Sequence, residues 1–169
     1  VGTCTIALAS GSTCQPTCDP GYTVSGTSSC TAGTLTAATC VIPSPVGQYV
    51  RLNLNNYLHF SEMIVWLPGD PGTDLAAGKT VTGSGEKFGG TYAGLVDGDR
   101  STYCHTSESN SWVMVDLGEE TAIGGIYIYH HGDWLSRNIG LEAEILDAQQ
   151  NTVLTTAAVT EGRRGYLLD

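Results

Sequence analysis

Residues 95–106 read LVDGDRSTYCHT. Asp97 and Asp99 stand one residue apart across Gly98, hydroxyls follow at Ser101 and Thr102, and His105 comes three positions later. Carboxylates, nearby carbonyls and hydroxyls on one tight turn are hard oxygen donors, the kind a calcium ion takes at roughly six to eight positions. The same residues also make an ordinary turn in which Asp and Ser side chains bond their own backbone. What decides between these is the chemistry that other elements bring to the loop.

The rest of the chain limits the partners. Its 169 residues suffice for one compact domain and a small appendage. The formal net charge is −10, with seven Lys and Arg in all. Such a composition builds no basic patch, so nucleic acid and anionic membrane are excluded as partners. No run of about 18 apolar residues is present, so no membrane span is expected. The opening VGTCTIALASGSTC has neither the charged start nor the long apolar stretch of a signal peptide, and Val1 reads as the start of a fragment or processed product.

Residues 1–46 carry one charged side chain, Asp19, and five of the six cysteines. Cysteines this dense in a segment too small for a core point to disulfides and to an extracellular or cell-surface setting. Zinc is the rival reading, but the spacings lack paired C-x-x-C knuckles. Cys4 and Cys14 flank ALASGS, where they can close a small hairpin. The stretch CDPGYTVSGTSSCTAGTLTAATC, residues 18–40, resembles the second half of a sushi (complement control) module, with Leu35 where that family has tryptophan. The resemblance implies a Cys18–Cys40 bridge and leaves Cys30 to pair either upstream of Val1, the preferred reading, or with Cys104. Residues 1–40 are thus expected to be a partial sushi-like repeat of a longer chain, with no ligand of its own.

VIPSPVG, residues 41–47, reads as a stiff linker. Beyond it QYVRLNL and HFSEMIVW alternate apolar and polar residues around NNYL, as a hairpin does, and SWVMVDLG, AIGGIYIYHH, LEAEILDA and NTVLTTAAV repeat the pattern. No helical stripe interrupts them. An all-β antiparallel sandwich over residues 48–169 is expected, with Trp66 and Trp112 in its core.

DLAAGKTVTGSG, LVDGDRSTYCHT, SWVMVDLG and IGGIYIYHHGDWLSRNIGLEAEILDA together resemble the discoidin or coagulation-factor C-type family, the galactose-binding-like jelly roll shared with F-type lectins. In that family a hairpin like YVRLNLNNYLHFSEMIVW closes the domain at its C-terminal end. Here it comes first, which implies a permuted order in which these strands pair with the first and last strands of the same sandwich; the alternative is a module awaiting strands beyond Asp169. The permuted order brings Glu62 to the 97–102 loop. By resemblance to F-type lectins, calcium is then held by Asp97 and Glu62, by Thr102, and by the backbone of Gly94, Asp99 and Ser61.

The resemblance also implies a sugar site. His105 occupies the histidine position of F-type lectins, and HHGDWLSR places His131 where those lectins have arginine, with Asp133 matching and Arg137 one residue early. Imidazole lacks the guanidinium fork, which weakens the case for fucose. Trp134 at the tip of this turn is placed to stack on a sugar ring. Cys104 is expected to be a buried, unreactive thiol.

No nucleophile, zincin or phosphate-loop motif is present, and the pairs Glu119 with Glu120 and Glu142 with Glu144 fit solvated faces, so catalysis is not expected. Two functions follow from different classes. One is a calcium-stabilised carbohydrate-binding module of a larger extracellular protein. The other is a structural module that binds neighbouring extracellular proteins without using a sugar site.

Overall fold

The computed structural model describes residues 3, 4 and 7–168. The expected domain ends at Val1 and Asp169 fall outside them. The chain divides into two compact units, one up to Pro43 and one from Ser44, a division inside the expected linker.

The first unit holds five short strands: β1 (Thr13–Cys14), β2 (Thr23–Val24), β3 (Ser28–Thr31), β4 (Thr34–Thr36) and β5 (Cys40–Val41). They form a three-stranded sheet, β1-β3-β4, and a two-stranded ribbon, β2-β5. Disulfides join Cys4 to Cys14 and Cys18 to Cys40. Cross-links that close loops restrict the unfolded chain, which stabilises a unit with so little apolar interior. Cys30 is a free thiol buried in β3, and Cys104 is free as well, so the two do not bridge.

The second unit is a β-sandwich built from β6 (Val46–Leu54), β7 (His59–Trp66), β8 (Thr80–Gly83), β9 (Cys104–His105), β10 (Ser111–Ala122), β11 (Gly125–His130), β12 (Glu142–Leu146), β13 (Thr152–Thr155) and β14 (Gly165–Leu168). Five strands lie in one sheet in the order β13-β12-β6-β10-β8, and four in the other in the order β14-β11-β7-β9. Val50, Leu52 and Leu54 alternate inward along β6 and meet Phe60, Met63, Val65, Ile126 and Ile128 from the facing sheet in one core. Only two single 3-10 turns, Tyr92–Leu95 and Leu135–Asn138, interrupt the strands among the described residues.

Four expectations need correction. β6 and β7 are not a hairpin: the chain crosses from one sheet to the other at Asn55–Leu58, so β6 lies between β12 and β10 while β7 lies between β11 and β9. They therefore fill the middle of both sheets instead of pairing with its first and last strands. Alternation alone does not distinguish a hairpin partner from a strand across the core, because both bury every second residue. Trp66 and Trp112 are half-buried, not core, since each stands on the outward phase of its strand between inward residues. The Trp66 indole instead lies over Gly125, where an added Cβ would meet it at 2.3 Å. Finally, Val46 and Gly47 already belong to β6, and Val41 to β5, which shortens the linker. Glu144, expected on a solvated face, is held at 2.5 Å by Arg51 and at 2.6 Å by Asn53.

Candidate functional site

A β-bulge sets up the site. Tyr129 of β11 faces Glu62 of β7, but the next residue, His130, faces Phe60, so Ser61 is the extra residue. A bulge shifts the alternation. Phe60 and Met63, three apart, both enter the core, and His59 and Glu62 are left outside it at either side of the bulge.

His59 faces His105 of β9 in register, and on its other side His130 ends β11 and His131 follows it directly. Three adjacent strands thereby gather all four histidines of the chain. The His59 ring centroid is 4.8 Å from His105, 5.0 Å from His131 and 5.7 Å from His130. Tyr103 stacks on His131 at 4.4 Å and meets His59 edge-on at 5.2 Å.

Two of these imidazoles, His59 and His130, are shifted toward the neutral form. Burial, then the neighbouring His105, His131 and His130, and then Arg137 push His59 down to about 4. His130 is also lowered, chiefly by burial, although its bond to Asn138 opposes this. His105 is buried, and its Nδ1 lies 2.7 Å from the Thr106 carbonyl. A carbonyl only accepts, so Nδ1 carries a proton and donates to it. A neutral imidazole offers one donor and one acceptor, which suits hydroxyl ligands.

An exposed aromatic ring borders the cluster. Phe88 is 64% exposed and its ring centroid lies 4.9 Å from His105. Its φ of 53° is in the left-handed region, which costs a residue with a side chain about 1 kcal/mol or more. Tyr103 Oη donates to the Phe88 carbonyl at 2.5 Å and holds that backbone in place. Trp134 is equally exposed, with the Arg137 guanidinium 4.3 Å above its ring.

Of the sugar-site residues expected from sequence, the structure brings His105 and His131 together and sets Arg137 on Trp134. The Asp133 carboxylate takes Arg164 at 2.5 Å. His59, Tyr103 and Phe88 were not anticipated. The register that places His59 between His105 and His131 is a product of the sandwich, and Phe88 lies 17 residues before His105 in an irregular loop.

The acidic loop lies beside the same bulge. Asp97 Oδ1 accepts the Asp99 amide at 2.9 Å, and Asp97 Oδ2 accepts the Thr102 hydroxyl at 2.7 Å. Asp99 accepts both the amide and the hydroxyl of Ser101. As it stands the loop is a self-bonded turn. Arg100 stacks 3.5 Å from the Tyr129 ring, and Tyr129 is the cross-strand neighbour of Glu62, so the loop covers that carboxylate.

Glu62 is 3% exposed and neither carboxylate oxygen has a hydrogen bond. Burial, then Asp74, then Asp97 push its carboxyl up to about 7; the Gly98 amide and Arg100 pull the other way without satisfying either oxygen. An unpaired buried carboxylate is costly unless protonated or met by a cation. Gly94 packs against the Tyr103 backbone, where an added Cβ would lie 2.7 Å from the carbonyl oxygen, and Ser61 is the bulged residue itself. Among the described residues no three of His, Cys, Asp and Glu are disposed to hold a metal ion as they stand. The oxygen donors expected for calcium are carbonyls and a hydroxyl as well as carboxylates, and the orphaned Glu62 fits a cation of that kind.

Residues 94–166 match the F5/F8 type C family model described as NedA-like, galactose-binding domain. This supports a discoidin-like domain. The match begins at the turn before the acidic loop and ends in β14; β6 and β7, the central strands of the two sheets, precede it. Comparison with curated proteins and with solved structures returned no significant match. Cys104, beside the site on β9, is fully buried, and burial pushes its thiol up to about 12, so it supplies no thiolate.

Proposed function

We propose that the chain is a calcium-stabilised carbohydrate-binding module of a larger extracellular or cell-surface protein. The observation that carries this reading is the convergence of imidazoles with the Tyr103 ring and the exposed Phe88 ring on a galactose-binding-like sandwich. Sugars offer hydroxyls for the former and apolar ring faces for the latter. His105 and His131 contact the sugar, Trp134 and Phe88 stack on it, and Arg137 braces Trp134. Asp133 acts on the site through Arg164.

Calcium belongs to the same proposal. Glu62 and Asp97 supply charge, Thr102 a hydroxyl, and Gly94, Asp99 and Ser61 carbonyls. The ion would neutralise the carboxylate that burial leaves unpaired and fix the 97–102 segment ahead of Tyr103 and His105. The Cys18–Cys40 bridge supports the sushi-like reading of residues 18–40. The two disulfides support the extracellular setting.

A glycan array read with calcium and with chelator tests the proposal. Bound neutral glycans should be retained in calcium, weakened by chelator, and lost on Trp134→Ala or Phe88→Ala. Absence of any bound glycan would leave the structural-module reading, which the exposed Val153 and Leu154 on edge strand β13 favour.

A further inference from the structure

His59 lies at the centre of the imidazole cluster, yet nothing in the protein satisfies its ring. Neither ring nitrogen makes a hydrogen bond among the described residues, and of the two only Nδ1 is buried. The side chain is half-buried, so it is open on one side. Its neighbours are rings on nearly every side: His105, His131, His130 and Tyr103. The Gly132 turn completes the enclosure, since a Cβ there would sit 3.7 Å from His59 Cε1. The His131 amide donates to the His59 carbonyl at 3.2 Å and locks the two backbones together.

Several buried polar groups around it are paired, although His130 Nε2 and Asn138 Oδ1 are unpaired as well. His105 is bonded to Thr106, Thr106 donates to Ser111, and His130 is bonded to Asn138. Nδ1 is shielded from any ligand, whereas Nε2, on the open side and without a protein partner, is the atom that a ligand hydroxyl reaches. A hydroxyl both donates and accepts, so it can bond the open Nε2 of His59 in either tautomer.

We infer that His59 is a ligand-contacting, specificity-determining residue of the site, holding one sugar hydroxyl among itself, His105 and His131. This rests on the carbohydrate reading of that site. It also supplies a residue that the family pattern did not place there: His59 comes from β7, outside the matched stretch.

The test uses the full chain in calcium, with methyl β-galactoside and methyl α-fucoside as probes, followed by the monodeoxy analogues of whichever probe binds. His59→Phe keeps a ring against Tyr103 and removes both nitrogens; His59→Gln restores a donor and an acceptor. The Phe variant should bind at least about tenfold more weakly, the loss of one hydrogen bond in a desolvated site, and the Gln variant should recover part of the affinity. One deoxy analogue should bind the parent weakly and suffer no further loss in the Phe variant, because the contact is already absent. Melting temperature and calcium affinity should stay within error of the parent. Should the Phe variant fail to fold, side-chain 15N spectra of the parent replace it, and the His59 nitrogens should shift on adding the probe. Equal binding by parent and variants, or unmoved His59 nitrogens, means that the ring is met by water alone, and overturns the inference while leaving the carbohydrate reading intact. A parent that binds neither probe overturns both.

Discussion

Glu62→Gln offers the sharpest test of the buried carboxylate. In the folded chain the carboxyl is pushed up to about 7 from an ordinary 4.5, through burial first and then Asp74 and Asp97. A raised acid favours the folded state while it is protonated in both states. That contribution is fully present below pH 4.5 and is lost as pH rises toward about 7, where the folded protein must carry the charge. The gap corresponds to about 3 kcal/mol, or about 10 °C in melting temperature for a domain of this size. Differential scanning calorimetry in chelator, from about pH 4 to about pH 8, should show the parent losing this stability relative to Glu62→Gln, whose amide is isosteric and does not titrate. Calcium should reverse the order at the upper pH, because it binds and stabilises only a folded parent that retains the carboxylate. A difference between parent and variant that stays constant across this range would refute the unpaired-carboxylate argument. Failure of calcium to raise the parent's melting temperature would refute the metal assignment.

Asp97→Ala should lower the melting temperature in calcium and weaken calcium binding in isothermal titration, whereas Trp134→Ala should leave both unchanged. Gly94→Ala should destabilise the sandwich by about 1–3 kcal/mol in chemical denaturation, since the new methyl meets the Tyr103 backbone at 2.7 Å. Leu52→Ala, in the fully buried middle of β6, should cost about 2–5 kcal/mol. Cys104 should resist alkylation in the native protein at neutral pH and react on unfolding, as mass spectrometry of iodoacetamide-treated samples will show.

Local chemistry determined much of this in advance. The alternation that marks QYVRLNL and HFSEMIVW follows from a strand having one face toward an apolar core, and β6 and β7 cover those residues. The turn chemistry of DGDRST also needs no distant partner, since its aspartates bond the amides and hydroxyls two to five residues on. Which sheet each strand joins is a different matter, because a strand's pattern records burial and not the identity of its neighbour. Only the tertiary structure decided that β6 and β7 part company, that a bulge at Ser61 sends His59 and Glu62 out of the core, and that His59 meets residues 46 and 72 positions away. Asp133 shows the same limit in reverse. Its place in HHGDWLSR pointed to the sugar site, but its ion pair with Arg164, 31 residues on, exists only once β14 has docked beside β11.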